Sequence, residues 1–260
     1  MVRLVTLLSI TACALFASFA GAAADLSADQ VTRALAGATA ERPANFDGQD
    51  LSDLDLRNLD FRHASLHGTN LFASRLVSSN FAGSDLEGAN LNGAWLMGAD
   101  FTGARMARAS LLSVVILGGE VKAMPIFKGA DLRQARMIAD LPGADLTGAN
   151  LAGARIGVDI KNQGMGQMRT DLTGAKLSAT NFSGADLNRT LFSFAVLRDS
   201  DLHGANLFRA NLTGADLTGA DVAEADFTEA DLSGTVLHGV RGLDRAHGLD
   251  RAANLDKAVR

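Results

Sequence analysis

Side chains able to do chemistry are plentiful in this 260-residue chain, yet none sits in a pattern that chemistry demands. The five histidines, His63, His67, His203, His238 and His247, show no ligand spacing with a carboxylate cluster. Ser and Asp are abundant, but they recur at a fixed interval and so belong to a repeat rather than to a catalytic group. No nucleophile elbow, phosphate loop or metal motif is present. The reading is therefore of a chain with no catalytic residue, no metal and no cofactor. Residue types suited to recognition gather in one place. Lys161, Asn162, Gln163, Gln167 and Arg169 offer mostly donor groups, which suit a carboxylate, a phosphate or a peptide backbone on a partner.

These residues must be positioned by whatever the rest of the chain builds, and a period of five governs it. Large apolar residues stand at every fifth position from Phe46 to Ile116, and again from Leu172 to Leu237. Apolar residues make up 47% of the chain, so 29 such hits in two unbroken runs cannot be chance. Two before each such centre sits a small residue, mostly Ala; one before sits Asp or Asn; two after, very often, sits Gly. Five residues advance a helix face by about 140°, so the stripe would wind around the axis. On a straight strand an odd period would flip the centre to the opposite face at each repeat. Both conflicts vanish if the chain turns a corner once per unit. The centre and the small residue then point inward, and one large with one small side chain per side fills a narrow interior.

The units Asp216-Leu217-Thr218-Gly219-Ala220, Asp85-Leu86-Glu87-Gly88-Ala89 and Asn90-Leu91-Asn92-Gly93-Ala94 resemble the pentapeptide-repeat family over about residues 44–239. The resemblance implies an all-β fold, a right-handed four-sided β-helix with four units per coil. Thirty-six centres then give about nine coils. Centres twenty apart share a face, so Phe61, Phe81 and Phe101 are expected to stack, with Phe72 outside. Val77, Trp95, Met97, Val115 and Leu117 fall at outward positions beside one face, where the repeat normally supplies polar residues. They are expected to form an apolar patch, buried by the chain's own loop or by a second copy. Breaks at 117–131 and 157–171 are expected to bulge from the rod, the second carrying the recognition residues.

The ends read differently. Residues 1–24 have a short basic start at Arg3, an apolar stretch and a run of small residues, a secretory leader cleaved before Asp25. The alternative is a lipid anchor through Cys13, the sole cysteine. Residues 25–43 read as a helical cap with a capping box at Ser27 and Gln30. Residues 240–260 change to a period of six and read as a looser last coil, a cap or a tail. Loss of Arg3 with the leader would take the net charge from −5 to −6. The expectation is an exported, periplasmic or secreted non-enzymatic scaffold. Its partner is a protein of unknown identity or a second copy in a homodimer, with no nucleic acid bound and no membrane insertion after cleavage. Some members of the resembled family mimic duplex DNA and bind DNA gyrase; that regulator is the alternative if the chain is not exported. A secreted enzyme with a site in the middle loops is the third reading.

Overall fold

The computed structural model describes residues 24–116, 123–158 and 169–260. Regular elements are short because each side of the coil is short. Helix α1 spans Ala28–Ala36, and the two-residue strands β1 (Ala44–Asn45) and β2 (Ala64–Ser65) pair in parallel. So do β3 (Ser110–Leu112) and β4 (Arg136–Ile138). The remaining ladder consists of single parallel bridges, each formed by the outward residue before a centre: Asp50 with Asn70, Asp55 with Arg75, Asp60 with Asn80, Ser65 with Asp85. Four such columns run along the molecule, one per side, with successive members twenty residues apart in the regular coils.

A β-turn closes each corner. The Ala89 N–H, for example, donates to the Leu86 carbonyl at 3.0 Å, and Gly88 between them has φ 68°. The repeat's Gly thus fills a turn position that requires the left-handed region. The Asp or Asn before the centre has an equally local task. Its side-chain oxygen accepts the N–H two residues on, as Asp50 does from Ser52 at 2.9 Å and Asn181 from Ser183 at 2.9 Å. At three rungs an Asn amide also bonds across the ladder: Asn70 to Asp50 at 3.0 Å, Asn90 to Asn70 at 2.9 Å and Asn206 to Asp186 at 3.0 Å.

Inside, every centre from Leu51 to Phe101 is fully buried. Phe61, Phe81, Phe101 and Phe127 form one stack, with centroids 4.5, 5.0 and 5.1 Å apart and planes within 8°. At the small inward position Thr69 donates to the Phe46 carbonyl and Ser79 to the Leu56 carbonyl one coil back, while Ser74 and Ser84 donate to Leu71 and Phe81 within their own corner. These four hydroxyls are thereby satisfied without leaving the core.

The ladder survives the irregular middle by changing coil length. Asp100 pairs with Ile126, a step of 26; Ile126 pairs with Asp145, a step of 19; Asp145 pairs with Lys176, a step of 31; the step of twenty then returns at Lys176–Val196. The column is regained at Ile126, inside the span read as a break at 117–131, and at Asp171, the last residue of the second. The short coil absorbs the place where Met137 and Leu141 are only four apart. At the C-terminal end Arg241, His247, Ala253 and Val259, six apart, pair with Asp221, Asp226, Asp231 and Val236, five apart. Each side of this last turn holds one extra residue, and two 3₁₀ turns at Leu249–Arg251 and Leu255–Lys257 take up the slack. At the other end Ser27 and Gln30 form the capping box of α1, Val31 is buried against the core, and the Asp25 carboxylate accepts the Asp50 N–H at 2.7 Å. Among the described residues no helix is long and apolar enough to cross a membrane. The leader, Cys13 included, lies outside the described residues.

Candidate functional site

The outward apolar group around Trp95 is only partly at the surface. Asp55, Arg75, Trp95 and Val115 are successive members of one column. Trp95 is half-buried, with the Arg75 guanidinium 5.6 Å from its ring centroid, a cation–π contact. Val77, at the adjoining corner, is half-buried. Met97 is 3% exposed, which removes it from any surface a partner could touch. Beside it the chain that regains the ladder brings the Ala123 carbonyl onto the Gly98 N–H at 2.8 Å, and Met124 packs against the core. Leu117 lies outside the described residues.

The polar recognition segment is described only at its base. Lys161, Asn162, Gln163 and Gln167 lie outside the described residues; Arg169 is exposed. The base itself is tied. The Thr170 hydroxyl donates to the Ile156 carbonyl at 2.7 Å, with the Met137 carbonyl at 3.2 Å. A Cβ on Gly157 would stand 2.7 Å from the Asn188 backbone nitrogen, so the chain leaves the rod where only glycine fits. Val158 just beyond is still buried.

Several surface groups arise from coil register and escape local motif reading. His67, Asp85 and Glu87 each bring a potential ligand atom within 4.8 Å of the others, which corrects the expectation that no histidine meets a carboxylate cluster. The offset of twenty between His67 and Glu87 was the available signal. Both carboxylates are already engaged: Asp85 by Arg105 at 3.0 Å, and Glu87 by Arg108. The set is therefore an ion-pair network rather than an open ligand cage. One coil on, Arg133 forms a two-point pair with Asp131, at 2.6 and 2.8 Å, and its hydrogen bonds hold the Asp131 carboxyl below the usual carboxylate range. Asp140 departs in the other direction: burial, then the charge of Asp171 on the next rung, raises it.

Exposed aromatic surface includes Phe72, as its position in the repeat requires, and Phe194, which sequence reasoning did not single out. Phe72 is 48% exposed and Phe194 67% exposed. Phe194 occupies the left-handed turn position with φ 59°, where a bulky side chain is strained, and its ring covers Gly214 of the next coil. The signal in the sequence was an aromatic at a corner position that the repeat gives to Gly.

A family model described as Pentapeptide repeats (8 copies) matches residues 44–76, 74–111, 126–156, 170–207 and 205–241. Among solved structures, HetL, a pentapeptide repeat protein involved in heterocyst differentiation regulation from the cyanobacterium Nostoc sp. strain PCC 7120, is 27% identical, covering 90% of this chain and 94% of its own, with a TM-score of 0.51. A pentapeptide repeat protein of the Arabidopsis thaliana thylakoid lumen is 28% identical over 42% of this chain and 66% of its own, with a TM-score of 0.26. QnrB1, a plasmid-mediated fluoroquinolone resistance protein, is 20% identical over 74% of this chain and 84% of its own, with a TM-score of 0.35. No curated protein matches the chain.

Proposed function

Since the chain belongs to the pentapeptide-repeat family, whose members form right-handed four-sided β-helices, we propose that it is an exported, non-enzymatic scaffold that binds another protein in the cell envelope. In this reading the rod has about nine coils, α1 closes its N-terminal end, and the leader over residues 1–24 sends it to the periplasm or outside the cell. The observation that carries the binding role is Phe194, the most exposed large apolar side chain among the described residues, held at a left-handed turn position that most often goes to Gly. Large rigid aromatics of this kind anchor protein interfaces. HetL, similar over nearly its whole length, is involved in regulation, which fits a rod acting through contacts.

The alternative, a mimic of duplex DNA, needs continuous acidic columns. The columns here are interrupted by Arg75, Trp95, Val115, Arg105, Arg136 and Arg155, and their Asp and Asn side chains are largely occupied in holding turns. The test is N-terminal sequencing of the protein purified from its own cells, together with a photo-crosslinking residue at position 194. A start at Asp25 and a discrete cross-linked envelope protein support the reading. An intact Met1 in the cytosolic fraction, or no cross-linked species at any protein concentration, overturns it.

A further inference from the structure

The chain carries net negative charge, yet one corner of the rod is built from arginines. Arg108, then Arg133 and Gln134, then Gly153 occupy the same corner on three successive coils, about 10 Å along the axis at strand spacing. The small residues Ala107, Ala152 and Gly153 leave a depression of 440 Å³ there, and Arg108, Arg133 and Gln134 wall it. Two residues past the corner, Arg136 and Arg155 are direct partners on adjacent rungs, both exposed. Like charges directly opposed in a ladder are unfavourable. Among the described residues neither forms an ion pair; Asp131 is held by Arg133, and one oxygen of Asp186 on the next rung accepts from Asn188 and Asn206. The corner also accepts backbone strain. Arg108 has φ 60° and Gln134 φ 57°, where the repeat's usual residue is Gly.

From this group we propose that the corner formed by Arg108, Arg133, Arg136 and Arg155 binds an acidic segment of a partner protein. The proposal rests on the protein-binding reading above and names the chemistry of that partner. Guanidinium groups match carboxylates in a two-point geometry, and among the described residues two of these four, Arg136 and Arg155, form no ion pair. The mixed lining favours a peptide over a polyanion. Glu87 lines the depression, and Asp85 and Asp131 stand beside it. A phosphate polymer would meet these carboxylates with repulsion, whereas a peptide can offer backbone N–H groups to them. The footprint of three rungs suits a short segment, not a membrane plane.

The experiment is a fluorescence-anisotropy titration with a labelled Gly-Ser peptide bearing four glutamates, against the same peptide bearing four glutamines. The wild-type protein is expected to bind the glutamate peptide at least tenfold more tightly. The double variant Arg136→Glu, Arg155→Glu is expected to lose at least tenfold in affinity, and Arg57→Glu, whose native arginine pairs with Asp55 elsewhere on the rod, less than twofold. Arg108→Gly is expected to weaken binding while the melting temperature holds or rises, because Gly relieves the turn. A purely structural arginine would lower it. Equal binding of the two peptides, an unchanged affinity in the double variant with native circular dichroism, or loss of stability in Arg108→Gly overturns the proposal. So does displacement of the peptide by polyphosphate or by phosphatidylglycerol vesicles at a lower concentration of charge than unlabelled peptide needs. The cross-link at position 194 separates this from the scaffold reading: its persistence in the double variant, with peptide binding absent from wild type, sinks the arginine corner and leaves the scaffold standing.

Discussion

Replacing Phe81 by Ala tests the coil register most directly. Phe81 is fully buried and stacked between Phe61 at 4.5 Å and Phe101 at 5.0 Å. Deleting a buried Phe side chain costs about 3–5 kcal/mol, depending on how far the surroundings collapse into the space. Here they collapse little, because the coils above and below are held by the Phe61 N–H on the Asn80 carbonyl at 2.7 Å and the Phe81 N–H on the Asp100 carbonyl at 2.7 Å. Both ring–ring contacts are lost as well, each worth roughly 0.5–1.5 kcal/mol beyond area. The upper end, about 5 kcal/mol, is therefore expected. Phe72 lies about two sides away on the same coil but is 48% exposed, so Phe72→Ala should cost about 1 kcal/mol. Urea unfolding of both variants, followed by far-ultraviolet circular dichroism with the slope compared, reads the difference. Equal losses in the two would refute the arrangement of four units per coil and the stack that follows from it.

Five further outcomes are expected. Replacing residues 159–168 by a short Gly-Ser linker should leave the circular dichroism and melting cooperativity intact, because the base is tied by Thr170. Thr170→Val should instead cost about 1–3 kcal/mol in urea unfolding, from the unpaired Ile156 carbonyl. Hydrogen bonds from Ser52 hold Asp50 low, and those from Arg133 hold Asp131 low, so their contribution is present above the ordinary carboxylate range and lost as pH falls through the depressed values. The urea midpoint should thus drop below about pH 4. Asp140 is raised, so its ionised form opposes folding at neutral pH, and Asp140→Asn should lift the melting temperature by about 1–2 °C at pH 7 and not at pH 3. Trp95 is the single Trp, and its half-buried ring beneath Arg75 should emit between the extremes; Arg75→Ala should move emission to the red, whereas a blue shift that grows with protein concentration would place a second copy on the face.

Where the period is five, the sequence is nearly a coordinate system. Phe61, Phe81 and Phe101 stack as their spacing requires, and Phe72 faces out. The Ser27 and Gln30 pair marks the start of α1 because a capping box is wholly local. What was not legible depends on how many residues leave the ladder at each irregularity. Phe101 and Phe127 stack although 26 positions separate them, and no pattern within that stretch says how the excess is divided between loop and ladder. Met97 disappears from the surface for the same reason: the chain returning to Ile126 runs beside it, and its path is set by coil length, not by residue type. His67 and Glu87 meet because they are a full coil apart, a separation that local ligand spacing does not contain.

The arginine corner shows the same dependence from the opposite side. Arg136 and Arg155 are 19 apart in sequence, and a coil of twenty would put Arg136 opposite Ile156, an inward centre. They face each other because one residue is missing between Met137 and Leu141, so a single deletion creates a like-charge pair that no regular coil would contain. Such a pair opposes folding, as do Arg108, Gln134 and Phe194 at left-handed turn positions that most often go to Gly. The repeat supplies an inexpensive residue for each of these places, and nothing in the core requires the costlier one. What they share is exposure, and their side chains project from a ladder whose own hydrogen bonds are complete without them. The physical reading that accounts for all of them together is a rod whose stability resides in the repeat and whose contacts reside in its exceptions.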